Sequence, residues 1–167
     1  NTAAYTLVGA ADADADAVAL LTKHFTTEGG TINLIIGERG DAAVAAYESM
    51  IPAKAEGYYL SVSADGVVIA GNDASGTYYG VQSYLQLAEQ PEVQSVTITD
   101  WPEVADRGLV EGYYGNPFSD EDRKSLFEFF GRTKMNVYIY GPKDDEYHRG
   151  RWREPYPKAQ GERIAKL

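Results

Sequence analysis

The most constraining stretch of this sequence is residues 108–145. It holds a short apolar run, a glycine-rich loop, a capped amphipathic pattern, a second apolar run and a charged loop. Leu109–Val110 reads as a buried strand, and Gly112 and Gly115 let the backbone turn or approach a ligand closely. Ser119 followed by Asp120, Glu121 and Asp122 is a helix N-cap with a dipole-matched first turn. Leu126, Phe129 and Phe130 supply the inward face of that helix, and Gly131 lies near its end. Met135–Tyr140 is the next strand, and Gly141-Pro142-Lys143-Asp144-Asp145 stands where it ends. Consecutive parallel strands need a long crossover, usually a helix, so the order predicts a βαβ unit. In a (β/α)₈ barrel, ligand-binding groups gather at the carboxyl ends of the strands. Gly112 and Lys143 both fall there.

The first hundred residues follow a different plan. Tyr5–Val8 predicts a strand, residues 14–25 a helix with Val18, Leu21 and Phe25 inward, and Ile32–Ile36 a buried strand. Asp41 is expected to cap a second short helix with Val44 and Tyr47 inward, ended by Pro52. Ala64-Asp65-Gly66 between Tyr58–Ser63 and Val67–Ala70 predicts a hairpin. Residues 75–88 predict a helix striped by Tyr78, Val81 and Leu85, and residues 93–99 a half-buried strand. The expected fold class is α/β (α+β), with a mixed sheet whose helices gather on one face.

Charge supports a division of the chain. Of 25 acidic and 15 basic residues, 13 and 3 lie in residues 1–100, and 12 of each lie in residues 101–167. A step of this kind marks a boundary: a domain over 1–100, a linker at 101–106 opened by Trp101-Pro102, and a second domain over 107–167. The net charge of −10 argues against a nucleic-acid partner, which selects a basic face, and against docking to an anionic membrane. No run approaches the ~18 apolar residues a membrane span requires. Without cysteine there are no disulfides, thiolate metal sites or cysteine nucleophiles. No metal or cofactor is expected. Asp12, Asp14 and Asp16 lack the glycine and distal glutamate of a calcium loop and read as a solvated helix start. His24 reads as structural, and His148 as a hydrogen-bonding loop residue.

Arg107–Gly115 (RGLVEGYYG), Met135–Asp145 (MNVYIYGPKDD) and Tyr147–Pro157 (YHRGRWREPYP) resemble the opening of the catalytic barrel of glycoside hydrolase family 84, the β-N-acetylglucosaminidases that include O-GlcNAcase-like enzymes and bacterial "hyaluronidases". The first hundred residues resemble the α/β domain that precedes the barrel in this family and in family 20 hexosaminidases. That likeness rests on element order, on Asn72-Asp73 and on Gly76–Tyr84. The expected architecture is therefore a hexosaminidase-type domain followed by the first two βα units of a barrel that needs ~250 residues in all.

The resemblance implies hydrolysis of β-linked N-acetylglucosamine with retention. The substrate's own acetamido oxygen acts as nucleophile through an oxazoline, and a pair of aspartates assists. It places that pair on a later strand, beyond Leu167, so no catalytic residue is assigned here and the chain alone is expected to be inactive. It assigns substrate-binding roles to Gly112, through its backbone carbonyl, and to Lys143, through its ammonium. Asp144 and Asp145 are expected to fix their loop or pair with Arg149, Arg151 or Arg153. Tyr113 and Tyr114 would form the pocket floor or, the favoured reading, pack beneath it, and Trp152 is expected to lie buried under the barrel rather than to serve as a sugar-stacking platform. Partners would be N-acetylglucosamine-containing glycans or glycoproteins. The alternative from another class is a non-catalytic carbohydrate- or protein-binding module. Asn1 in place of methionine reads as a processed start, with a secreted, periplasmic or cell-surface location in a bacterium. Leu109, Val110, Val137 and Ile139 are expected to lack a barrel interior. The open strand edge predicts that residues 107–167 pack on the first domain, self-associate with another copy or are poorly ordered.

Overall fold

The computed structural model describes residues 4–112 and 114–167. The chain forms two compact units that meet in sequence between Glu103 and Val104. No described helix is long and apolar enough to cross a membrane.

The first unit runs β1 (Tyr5–Val8), α1 (Ala15–His24), β2 (Ile32–Glu38), a 3-10 helix at Ala42–Met50, β3 (Tyr58–Ser63), β4 (Gly66–Gly71), α2 (Ala74–Ala88) and β5 (Val96–Asp100). The sheet order is β1-β2-β4-β3-β5. β1, β2 and β4 are parallel neighbours, whereas β3 is antiparallel to both β4 and β5, so the sheet is mixed. The β3–β4 register pairs Ser63 with Gly66 and leaves Ala64-Asp65 as the turn. Gly66 is thus the first residue of β4. Its φ is +142°, and a Cβ there would lie 2.4 Å from the Asn33 carbonyl oxygen, so only glycine lets β4 seat against β2. Asp14 caps α1 by accepting the Ala17 N–H, and Asp73 caps α2 by accepting the Gly76 N–H.

Both faces of this sheet are covered, and here the expectation of helices on one face is corrected. Leu34, Ile36, Leu60, Val67 and Ile69 pack with Ala17 and Leu21 of α1 and Val81 and Tyr84 of α2. Val68, Ala70 and Tyr59 point the other way and pack with Val44 and Ile51, around the 3-10 helix. The cause is legible in β4: Val67-Val68-Ile69-Ala70 is apolar at every position, so alternation places apolar surface on both sides. Asp41 does not cap the 3-10 helix with its side chain. Its carboxylate accepts the Glu38 N–H instead, at 2.7 Å, closing the turn after β2. The buried stripe of α2 is Thr77, Val81 and Tyr84 rather than Tyr78, Val81 and Leu85, because Gly76 and Gly80 draw that side of the helix onto the sheet. The Tyr84 hydroxyl meets that of Tyr5 at 2.6 Å within the core. Burial, then this contact, pushes the Tyr84 phenol well above the ordinary tyrosine range.

The second unit runs β6 (Gly108–Glu111), α3 (Asp120–Arg132), β7 (Val137–Tyr140), a 3-10 turn at Glu146–His148 and α4 (Lys158–Ile164). β6 and β7 are parallel, joined by α3, and α4 follows β7. They make two successive βα units, the arrangement with which a (β/α)₈ barrel is expected to open. Ser119 and Asp122 form a reciprocal capping box at the start of α3. The register sets Leu109 beside Tyr138, Val110 beside Ile139 and Glu111 beside Tyr140. Phe127 and Phe130 of α3 pack edge-on to the Tyr138 ring at 4.9 and 6.3 Å. Alternation puts Leu109 on this covered side, which corrects its grouping with Val110. The bare side is carried by Val110 and Ile139, 59% and 52% exposed. Phe129, expected inward, is also exposed. The inward stripe of α3 is Arg123, Phe127 and Phe130, at positions i, i+4 and i+7.

Candidate functional site

The site is assembled at the carboxyl ends of β6 and β7. The Glu111 carbonyl accepts the Gly141 N–H at 3.0 Å, carrying the ladder one step past the strands. The two loops therefore leave the sheet side by side. They are then tied across, because the Gly115 N–H donates to the Asp144 carboxylate at 3.1 Å. Gly112 follows β6 directly, and Lys143 lies in the loop after β7, exposed and with no hydrogen bond or ion pair to a described residue.

At Gly112 a side chain would be tight against one side chain but would meet no backbone clash. Its φ is outside the left-handed region, and an added Cβ would meet only the Val110 side chain, at 3.1 Å. Gly108 differs sharply: a Cβ there would fall 1.6 Å from the Val137 carbonyl oxygen. Glycine at 108 is required by strand pairing, whereas glycine at 112 is not imposed by any backbone contact.

Behind these loops lies a buried charged network absent from the expectations above. Glu111 is fully buried, and Arg123 is 3% exposed. The Glu111 carboxylate accepts Arg123 Nε at 3.0 Å, Arg123 Nη2 at 2.9 Å, the Phe118 N–H at 2.9 Å and the Tyr138 hydroxyl. Burial alone would raise its pKa. The guanidinium, the phenol and the backbone N–H outweigh that and hold the carboxyl below its ordinary range. Burial, then the bond to Glu111, pushes the Tyr138 phenol up to about 12.

Asp145 makes a second such centre. It accepts the Tyr147 N–H at 2.8 Å and the hydroxyls of Tyr140 and Tyr156 at 2.9 and 3.0 Å. Of the two expected roles it takes the first, fixing the loop through tyrosines and a backbone amide, and it does not pair with the loop arginines among the described residues. Burial opposes its charge, but the Tyr147 N–H and then the two phenols prevail and keep its carboxyl low. Asp144 spends one oxygen on the loop tie to Gly115. Arg151 pairs with Glu154, whereas Arg149 and Arg153 lie over the rings of Tyr114 and Trp152 at 5.6 and 4.5 Å. Tyr114 and Trp152 are 74% and 64% exposed, so neither is buried as expected. Tyr113 lies outside the described residues. His148 is exposed, with its ring near Tyr140 and Tyr156, and His24 is exposed in the last turn of α1. No set of three or more described His, Asp or Glu side chains is placed to hold a metal ion.

An open cleft of about 700 Å³ also lies in this unit, lined by Ser119, Arg123, Tyr140, Asp145, Tyr147 and Arg163 among others. Neither Gly112 nor Lys143 is in its walls. Its size does not make it the site: Arg123 and Asp145, the buried charged groups in its walls, are already engaged by protein partners. The candidate site is the loop pair, where a carbonyl and an ammonium are uncommitted.

The missed residues left a partial signal. Arg123 shares the helical spacing of Phe127 and Phe130, and a charged residue on an apolar stripe implies a buried partner. Glu111, closing an apolar strand, was that partner.

Comparison with known proteins gives a consistent family pattern. A family model described as glycosyl hydrolase family 20, domain 2 matches residues 2–101, and one described as beta-N-acetylglucosaminidase matches residues 107–167. Protein O-GlcNAcase of Rattus norvegicus is 45% identical over 60 residues, which are 36% of this chain and 7% of that protein. A beta-hexosaminidase of Porphyromonas gingivalis is 30% identical over 130 residues, 70% of this chain and 17% of that protein. The solved structure of CpGH84B superposes with a TM-score of 0.81 at 35% identity, covering 96% of this chain and 30% of that one. The chain thus spans a small part of the curated relatives it matches.

Proposed function

This chain belongs to glycoside hydrolase family 84, its first unit being a family 20 domain 2, and from that premise we propose that it supplies one wall of the sugar site of a retaining exo-β-N-acetylglucosaminidase. The observation that carries the reading is the uncommitted pair at the strand ends. Gly112 offers its backbone carbonyl at a position that no backbone clash reserves for glycine, and Lys143 offers an exposed ammonium with no ion pair among the described residues, on the loop tied to it. A hexopyranose presents adjacent hydroxyls that both donate and accept. The Gly112 carbonyl accepts from one, and the Lys143 ammonium, with three donors, gives to its neighbours. A side chain at 112 would cover that carbonyl.

The reaction proposed is cleavage of a β-linked N-acetylglucosamine. The acetamido oxygen of the substrate attacks the anomeric carbon while the aglycone oxygen leaves with a proton, giving an oxazoline. Water then opens the oxazoline with overall retention. One carboxyl orients the acetamide and another moves the proton. Within this chain neither Asp144 nor Asp145 is suited to those tasks, since the first ties Gly115 and the second already accepts three hydrogen bonds. We therefore assign the acid pair to residues outside this chain. The Val110–Ile139 face is assigned to the barrel interior, and N-acetylglucosamine-bearing glycans or glycoproteins are the substrates proposed.

The test is hydrolysis of a fluorogenic β-N-acetylglucosaminide by the protein that carries this chain, with the β-glucoside as control. Turnover of the first alone is expected, and Lys143→Ala is expected to lower kcat/KM by about a hundredfold, as misplacement of a bound substrate does. Equal activity on both sugars, or an unaffected variant, would overturn the reading. The 167-residue chain by itself should read background. Turnover there would return Asp144 or Asp145 to the catalytic step.

A further inference from the structure

We infer that Glu111 and Asp145, linked through Arg123 and Tyr140, are positioning residues that set where the Gly112 carbonyl and the Lys143 ammonium stand. The inference rests on the sugar-site reading above and deepens it.

Each carboxylate closes a short loop that carries one of the two groups. Glu111 lies immediately before Gly112, and its side chain captures the N–H of Phe118, at the far end of the same loop. The segment bearing Gly112 is thereby clamped at both ends by one residue. Asp145 lies two residues after Lys143, and its side chain captures the hydroxyl of Tyr140, the last residue of β7. The segment bearing Lys143 is clamped in the same manner. The two clamps share a middle: the Arg123 guanidinium binds Glu111 through two nitrogens and lies over the Tyr140 ring, 5.1 Å from its centre. The Gly115–Asp144 bond ties the loops a second time, on the outside.

Both carboxylates are committed to the protein's own donors. Glu111 accepts four hydrogen bonds, which uses its lone-pair directions, and Asp145 accepts three. Stability alone does not explain the arrangement either. An apolar pair of similar volume holds a buried site as well as an ion pair or better. What a bidentate pair adds is direction: it fixes the angle and height of the backbone leaving Glu111.

The experiment uses the protein that carries this chain, with Glu111→Gln, Asp145→Asn and the double replacement Glu111→Met with Arg123→Leu. Thermal unfolding, kcat and KM on the fluorogenic β-N-acetylglucosaminide, and amide hydrogen exchange over residues 112–118 and 141–145 are measured for each. KM is the discriminating readout, because a merely unstable protein loses active molecules and hence apparent kcat, while KM stays unchanged. Both single variants should raise KM by about tenfold or more. Glu111→Gln should speed exchange at Gly115 and Phe118, and Asp145→Asn should do so at Tyr147. The apolar pair should melt at or above the wild-type temperature and still show the raised KM. A wild-type KM in the apolar pair, or singles that lower only the amplitude, would overturn the inference. If the wild-type protein turns over no β-N-acetylglucosaminide, the sugar-site reading fails, and exchange decides the positioning claim alone: faster exchange over 112–118 in the apolar pair upholds it, and unchanged exchange ends it.

Discussion

The two units of this chain are stabilised by opposite means. In the first, a five-stranded sheet is covered on both faces by apolar side chains, and the wholly buried side-chain hydrogen bonds among the described residues are neutral, Tyr5 with Tyr84 and Thr77 with the Gly37 carbonyl. In the second, a two-stranded sheet is covered on one face only, and the largest fully buried side chain is the ionised Glu111. Apolar burial scales with area and is indifferent to direction. A buried carboxylate bound by a guanidinium, a phenol and an N–H is costly to assemble and strict about geometry. The first unit is therefore held by undirected burial, and the second fixes its backbone at the strand ends where the proposed sugar-binding groups stand.

That contrast can be broken or sharpened by substitution. Glu111→Ala should have the largest effect, destabilising the second unit by up to about 3–5 kcal/mol because the buried Arg123 guanidinium loses its bidentate partner and keeps only the part-exposed Asp120, with the first unit unchanged. Domain-resolved hydrogen exchange would show it; a loss shared equally by both units would break the contrast. Leu34→Ala, at a fully buried position between β1 and β4, should cost the first unit about 2–5 kcal/mol and leave KM for the sugar unaltered.

Acid separates the units more gently. Glu111 and Asp145 have folded-state pKa values below their unfolded ones. Their stabilisation is complete above the unfolded value, near the ordinary carboxylate pKa, and is lost as pH falls through the folded value. Glu38 in the first unit is shifted upward, by burial first and then by Asp41. Its protonation on acidification relieves a penalty, so its contribution has the opposite sign. The second unit should thus lose protection at a higher pH than the first when pH is lowered from 7 to about 2. Simultaneous loss would contradict this. The smallest effect expected is Ser119→Ala. It removes the α3 cap and should cost about 1 kcal/mol, seen as a modest drop in the second unit's melting temperature.

Much of this was readable in the residues. The strands announce themselves as apolar runs bounded by glycine or by Asp-Gly, and the caps at Asp14, Asp73 and Ser119 are local signals that survive into the fold. The motif at Arg107–Gly115 pointed to the family before any coordinate did. Sheet order was not readable, because strand partners are chosen by long-range packing. The second covered face was implied by four successive apolar residues in β4, but periodicity alone does not say what lies against them. Glu111 escaped because a glutamate at a strand end next to glycine reads as solvated. Its burial follows only once α3 swings Arg123 over it. The exposure of Tyr114 and Trp152 went against expectation for a related reason: aromatic character predicts burial, yet each instead carries an arginine on its open face.

The most direct test is a crystal structure of the protein carrying this chain with a bound N-acetylglucosamine analogue. The account predicts the Gly112 carbonyl oxygen and the Lys143 Nζ at hydrogen-bond distance, about 2.7–3.2 Å, from hydroxyls of one pyranose ring. A sugar seated elsewhere in the barrel, or in the cleft beside Arg163, with those two atoms turned from it, would contradict the account.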